Sequence, residues 1–443
     1  MATRVLVDPF LDAVAWLVGH GLFRTVEVDG GDRIPTGRPL LVVANHFNGL
    51  VDAVLLAVIV RGVPRFIAKG TLWRSPLLRP LLAFAGLVPV SRPEDAGGTV
   101  DNTVMFDRAH RVLRRRGTLA IFPEGTTHDH LELQRVRTGA ARIALGARTG
   151  GVSNVTIVPI GLTFDDKLAL RSRVLARVGT PIDVDAWAAS VNPTEAGVRP
   201  DSHDATRRLT DRIAGHLAAT TPRYADVLDR AMLNRAADVR LRTELADPTA
   251  IVPLRRREAV AQRLADAPEA ERQAVLDALG TYQVQLNLLG LRDEQLMPRV
   301  RAAWLLRRAL GLTAYLAVLG VLVVAGIAAN LVPTILTALA GRRPEAPVTK
   351  GTVRVLTALL VYPLTWLIIA VLAPVTGWLP TTAVFLACPA AGAVAVGGLE
   401  RAIALVRAWT GWMGLRNARG LLDRLHETRQ RVCDRVDAAA GQP

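Results

Sequence analysis

The stretch PLLVVANHFNGLVD, residues 39–52, decides the fold. Five apolar residues, Leu40 to Ala44, run without a break into a polar turn, and a second apolar segment starts beyond it. A short unbroken apolar run that ends in turn residues reads as a strand buried on both faces. The same pattern recurs in VPRFIAKG (63–70), GTLAIFPEG (117–125) and VTIVPIGLTF (155–164), with helical periodicity between the runs. This predicts an α/β domain with a mostly buried sheet over residues 38–200 and its chemistry in the loops after the strands.

Within the first stretch His46 and Asp52 are six residues apart. On one regular helix they would point about 120° apart, so they meet only if His46 sits in the loop before the helix. Asn48 is the expected N-cap of a helix starting near Gly49, which puts Asp52 in its first turn. A carboxylate there can fix the imidazole tautomer while the other ring nitrogen takes a proton from an attacking hydroxyl. Taken alone, such a pair is as readily structural as catalytic.

Three further segments stand downstream: GLVPVSR (86–92), GTLAIFPEGTTH (117–128), with Arg137 and Gly139 beyond it, and VPIG (158–161). In this order and spacing the four segments resemble the glycerophospholipid acyltransferase family, over about residues 38–182. The resemblance implies that His46 and Asp52 form the catalytic dyad and that Arg92, Glu124 and Gly125 contact the acyl acceptor. It also implies an acyl-CoA or acyl-ACP donor as co-substrate, a phosphorylated glycerol-type acceptor and no other cofactor. An arginine offers a planar fork to a phosphate, and a glycine lets backbone N–H groups approach one.

Two departures stand out. Five residues separate His46 from Asp52 where four are usual, and Thr126-Thr127-His128 replaces the usual Thr-Arg-Ser, removing one expected phosphate-binding arginine. Both are similar to the fungal-type glycerol-3-phosphate and dihydroxyacetone-phosphate acyltransferases and their bacterial relatives. LNLLGLRD (286–293) and VRVLTALLVYPLTWL (353–367) also resemble that branch. With the arginine gone, Lys69 and Arg137 become the best additional phosphate ligands, although either could equally be a solvated surface charge. His128, Asp129, His130, Asp165 and Asp166 lack a further ligand at metal-site spacing, so no metal is expected.

Composition narrows the partners. The 443 residues carry 54 Lys+Arg against 39 Asp+Glu, a formal charge of +15, and half of the chain is hydrophobic. A basic chain meets nucleic acid or anionic lipid, and the long uncharged stretches favour membrane lipid over nucleic acid. The two cysteines are too few for a disulfide framework.

Residues 1–37 read as an amphipathic, membrane-proximal segment without the look of a signal peptide. Residues 201–308 carry apolar positions at helical spacing, as in ATRRLTDRIAGHLAA (205–219), and read as a helical region. Residues 309–341 and 355–399 hold no charge. As single helices they would be about 50 and 68 Å long against a hydrocarbon core of about 30 Å. The first is therefore expected to be re-entrant or a hairpin, and the second a transmembrane hairpin turning near Pro374, Gly377 and Pro380. That keeps every basic flank, the basic tail 400–443 and the catalytic domain on the cytoplasmic side of a multi-pass membrane protein. The rival function is a non-catalytic membrane protein that binds or moves phospholipid in the same pocket.

Overall fold

The computed structural model describes residues 2–60, 63–74, 76, 78–91, 102–130, 132–169, 171–191, 202–245, 247, 250–296, 302–372, 381–416 and 419–441. They divide into two compact units, Met1–Pro222 with Ala346–Thr352, and Arg223–Glu345 with Val353–Pro443.

The first unit is built on β2 (Leu40–Ala44), whose five residues are all buried. It pairs in parallel with β5 (Thr118–Ile121) on one side and β6 (Thr156–Phe164) on the other. Beyond β5 lie β3 (Arg65–Lys69) and β4 (Val88–Val90), again parallel. Beyond β6 come an antiparallel β7 (Ser172–Val178) and then β1 (Phe23–Asp29), while β8 (Ile182–Asp183) pairs with β6. The four expected strands are thus β2, β3, β5 and β6. Because they run in one direction with β4, their C-terminal ends share one edge, and the loops carrying the sequence motifs leave from it.

Helices α1 (Ala2–Leu22), α2 (Leu50–Ile59) and α3 (Leu78–Phe84) belong to the first half of this unit. Helices α4 (Thr103–Arg114) and α5 (Gly139–Thr149) pack on the main apolar core. Ala140, Ala141, Ala144 and Ala147 of α5 are all buried, and such small residues allow close helix–sheet packing. A short α6 (Val184–Val191) precedes α7 (His203–Ala218).

Two expected boundaries move. Residues 1–37 are not only an amphipathic segment, since Phe23–Asp29 forms a sheet strand. Helix α7 inserts Ala205, Leu209 and Ile213 into the sheet's core, so the α/β unit runs on to Pro222 instead of ending at 200. An amphipathic stripe shows that a face is buried, not what buries it.

In the second unit α8 (Val227–Arg242), α9 (Leu254–Ala265), α10 (Glu269–Leu288) and α14 (Arg419–Ala440) share one core. The segment 400–443, expected as a basic tail, is therefore largely helical, with Leu425, Val432, Cys433 and Val436 buried. LNLLGLRD has a structural part here. Leu286 is buried, Gly290 takes a positive φ to end α10, and Asp293 accepts hydrogen bonds from Tyr282 Oη (2.7 Å) and Arg429 Nε (2.8 Å). Burial, reinforced by Asp293, pushes the Tyr282 hydroxyl above its ordinary pKa, so it stays a donor.

Three apolar helices complete this unit: α11 (Ala302–Ala340), α12 (Pro347–Leu372) and α13 (Thr381–Arg416). Each is long and apolar enough to cross a membrane. The re-entrant or hairpin form expected for 309–341 is not found, because α11 is one helix of 39 residues with Pro333 inside it. Asn330 makes polar use of that site. Its Nδ2 donates to Gly326 O (2.8 Å) and Cys388 O (3.2 Å), and its Oδ1 accepts from Trp366 Nε1 (3.0 Å).

Of the hairpin expected over 355–399, the described residues form two helices, α12 and α13. Contacts of Thr334 with Tyr362 and of Asn330 with Trp366 run α12 antiparallel to α11. Contacts of Tyr315 with Val394, of Gly326 with Ala391 and of Asn330 with Cys388 run α13 antiparallel to α11 as well. Helices α12 and α13 therefore point the same way, and the antiparallel partner of α13 is α11. The turn expected at Pro374, Gly377 and Pro380 lies outside the described residues.

Arg401 stacks on Tyr315 at 4.4 Å, and the Arg354 stem lies against Gly341. Between Tyr315 and Gly341 α11 rises about 39 Å, close to a bilayer with its headgroups. Both ends of the bundle are basic, so the positive-inside tendency cannot choose between topologies.

Candidate active site

Asn45, the first residue past β2, is fully buried, and its amide bridges to β6. Nδ2 donates to Leu162 O at 2.9 Å, and Oδ1 accepts from Leu162 N at 2.7 Å. This continues the ladder by one side chain, so the chain leaves the sheet at a fixed point with His46 on the C-terminal edge. Gly49 then takes φ +57°, a conformation that favours glycine. This turn accommodates the extra residue between His46 and Asp52.

The N-cap of α2 is Gly49 and not the expected Asn48. The Asn48 side chain instead donates to Lys167 O at 3.2 Å, while its backbone N–H donates to Asp52 Oδ2 at 2.7 Å. The same Oδ2 lies 2.9 Å from His46 Nδ1. Asp52 is wholly buried, whereas 17% of the His46 side chain stays exposed. The His46 ring stacks on Phe122 with centroids 3.9 Å apart. The carboxylate also sits in the first turn of α2, where the helix dipole favours negative charge.

Glu124 leaves β5 in the Pro-Glu-Gly turn, with its side chain fully buried. Its Oε1 accepts from His46 N at 2.8 Å. Its Oε2 accepts from Gln134 N at 2.7 Å and lies 2.5 Å from His128 Nε2. His128 N in turn donates to His46 O at 3.2 Å. Resemblance implies that Glu124 contacts the acceptor, but here both of its oxygens hold the histidine loop, the 124–128 turn and the chain at Gln134 together. His128 serves that tie, Asp129 pairs with Lys167, and Asp165 pairs with Arg173, so these side chains do not converge.

Gly125 takes φ +74°, and a Cβ there would lie 2.9 Å from Arg137 Nε, so the glycine makes room for the Arg137 stem. Arg137 is exposed, and its backbone N–H is fixed by Pro123 O at 2.8 Å. Lys69 ends β3 on the same sheet edge, half-buried. Ser91 follows β4 and exchanges hydrogen bonds with Asn102. Arg92, next in the chain, lies outside the described residues. The motif alone did not reveal the roles of Asn45, Phe122 and His128, although each is adjacent to or within a quoted segment.

Residues 25–163 match the Acyltransferase family. That match takes in β2, α2, β3, β4, β5 and the four motif segments quoted from the sequence. The chain is 30% identical over 207 residues to glycerol-3-phosphate O-acyltransferase 2 of Saccharomyces cerevisiae, covering 45% of this chain and 26% of the relative. It is 31% identical over 130 residues to glycerol-3-phosphate O-acyltransferase 1 of the same yeast, covering 29% and 16%. The chain thus spans about a quarter or less of the length of these relatives. A crystal structure of the 1-acyl-sn-glycerophosphate (LPA) acyltransferase of Thermotoga maritima aligns with 49% of this chain and 81% of its own, at 20% identity and a TM-score of 0.34.

The Glu124 tie has a direct test. Glu124→Gln places an amide N–H₂ against a donor that had an oxygen, and a buried unsatisfied group costs about 1–3 kcal/mol. Thermal unfolding should register that loss, and turnover should fall with it because the His46 loop loosens. Unchanged stability and turnover would show that the carboxylate is not an anchor.

Proposed function

We propose that the protein is an O-acyltransferase that moves a fatty acyl group from acyl-CoA or acyl-ACP to the hydroxyl of glycerol 3-phosphate, dihydroxyacetone phosphate or a lysophospholipid. The observation that carries this reading is the His46–Asp52 pair. With Nδ1 committed to a buried carboxylate, Nε2 of a partly exposed ring remains as the base, and among the described residues nothing occupies it. The glycerol-3-phosphate O-acyltransferase activity of the two yeast relatives supports the same chemistry.

In this mechanism His46 Nε2 takes the acceptor hydroxyl proton as the oxygen attacks the thioester carbonyl carbon. Asp52 steadies the imidazolium that forms. The tetrahedral intermediate collapses with cleavage of the C–S bond, and the leaving thiolate recovers the proton from Nε2. The products are an oxygen ester and a free thiol. A thioester is activated enough that neither a covalent enzyme intermediate nor a metal has to be invoked.

Lys69, Arg137 and Arg92 supply the acceptor-phosphate site, with Gly125 lining it and Glu124 holding its floor. The parallel strands send β3, β4 and β5 to the edge where His46 stands. The active face lies toward the cytoplasm, where acyl thioesters and glycerol phosphates are found, and the apolar helices attach the protein to membrane lipid.

Purified protein in lipid or detergent, given labelled acyl-CoA and a panel of phosphorylated acceptors, should form labelled ester. His46→Ala should lower the rate by about 10²- to 10⁴-fold while leaving folding and membrane association unchanged. Binding of phospholipid without any ester formation would favour the rival transport reading. Arg92→Ala should raise KM for the acceptor and leave that for the donor nearly unchanged, with Arg92→Lys a partial rescue. The opposite pattern, a raised donor KM, would remove Arg92 from the phosphate site.

A further inference from the structure

Helix α2 carries Asp52 but begins without a cap of its own. Its N-cap, Gly49, has no side chain to offer, and the Asn48 amide is turned to Lys167. The N–H of Leu50, the first residue of α2, is met instead by Thr352 Oγ1 at 3.1 Å, a hydroxyl 302 residues further along the chain. Residues Ala346–Thr352 belong to the first unit, and from Pro347 on they form the opening turns of α12.

Gly351 is what lets them come so close. A Cβ at that position would overlap Asn48 Oδ1 and lie 2.9 Å from Val51 Cγ2. Asn48 Oδ1 is buried without a hydrogen-bond partner of its own, and the amide that carries it is held by Lys167 O through Nδ2, so it cannot swing aside without losing that bond. Asn48, Val51 and Asp52 are all buried.

Threonine is a strong helix cap when it precedes the helix, because its oxygen satisfies an N–H that has no partner within the helix. A hydroxyl brought from elsewhere in the chain meets the same need. Asp52 stands two residues beyond the capped amide, and its Oδ2 holds both His46 Nδ1 and Asn48 N. Fraying of this turn would therefore shift the carboxylate relative to the base, and small displacements of catalytic groups are costly.

We propose that Thr352, seated by Gly351, is a positioning residue for the His46–Asp52 pair: it caps α2 in trans and makes the competence of the base depend on the docking of the first turns of α12. The inference rests on the acyltransferase reading, and Thr352 touches the dyad only through α2.

The test compares wild type, Thr352→Val, which keeps the shape and loses the acceptor, and Thr352→Ser, which keeps the acceptor. In Thr352→Val, kcat should fall about three- to thirtyfold, the range for a lost cap, with both KM values within about twofold of wild type. Thr352→Ser should recover most of the turnover. Hydrogen exchange of the peptide spanning residues 49–52 should be faster in Thr352→Val than in the other two. Unchanged kcat in Thr352→Val, equal losses in Val and Ser, or a rise in KM at constant kcat would each overturn the proposal. If wild type transfers no acyl group to any acceptor, the acyltransferase reading fails by itself. Exchange then still decides the cap: faster exchange in Thr352→Val sustains it, and equal exchange removes it.

Discussion

A carboxylate sealed from water is the constraint on which the site depends. An ionised Asp52 side chain with no exposed surface needs hydrogen-bond donors and a favourable local field. It finds them in His46 Nδ1, in Asn48 N and in the first turn of α2. That requirement fixes the geometry around it. The loop must turn at Gly49, the ring must stand over Phe122, and the strand before them must end where Asn45 clamps it to β6. Displacing one of these leaves a buried charge short of a donor, which costs far more than losing a surface contact.

Glu124 extends the same logic across the sheet edge. It is a second buried carboxylate, and it collects donors from the histidine loop, from His128 and from Gln134. The two acids divide the labour by environment. Asp52 faces the side of the imidazole that must stay fixed, and Glu124 holds the main chain from which the imidazole projects. Parallel pairing of β2, β5 and β3 brings the loops that follow them to one edge of the sheet.

The parts of this arrangement that depend on local pattern were legible in the sequence. Four buried strands showed as short apolar runs, and the turn between His46 and Asp52 followed from helix geometry. Parts that depend on distant partners were not. Strand Phe23–Asp29 alternates too little to stand out, the stripe of α7 did not say that it meets the sheet, and α14 hid an apolar face among its arginines. Charge flanks suggested a hairpin within 355–399, yet the direction of α13 is set by Asn330, Gly326 and Tyr315 of α11. Asn48 looked like a cap because its type favours caps, and only the fold shows its amide drawn to Lys167. Nothing near residue 50 could have pointed to a hydroxyl at Thr352.

The knot of Asn330, Trp366 and Cys388 inside the apolar helices has a consequence for the lipid around them. Because side-chain and backbone groups lock the three helices at one height, they cannot slide past one another to shorten or lengthen their greasy belt. The belt is bounded by Tyr315 with Arg401 at one end and Gly341 with Arg354 at the other. Lipid that meets these apolar faces has to match one height for all three helices at once, and a mismatch costs fractions of a kcal/mol per Å.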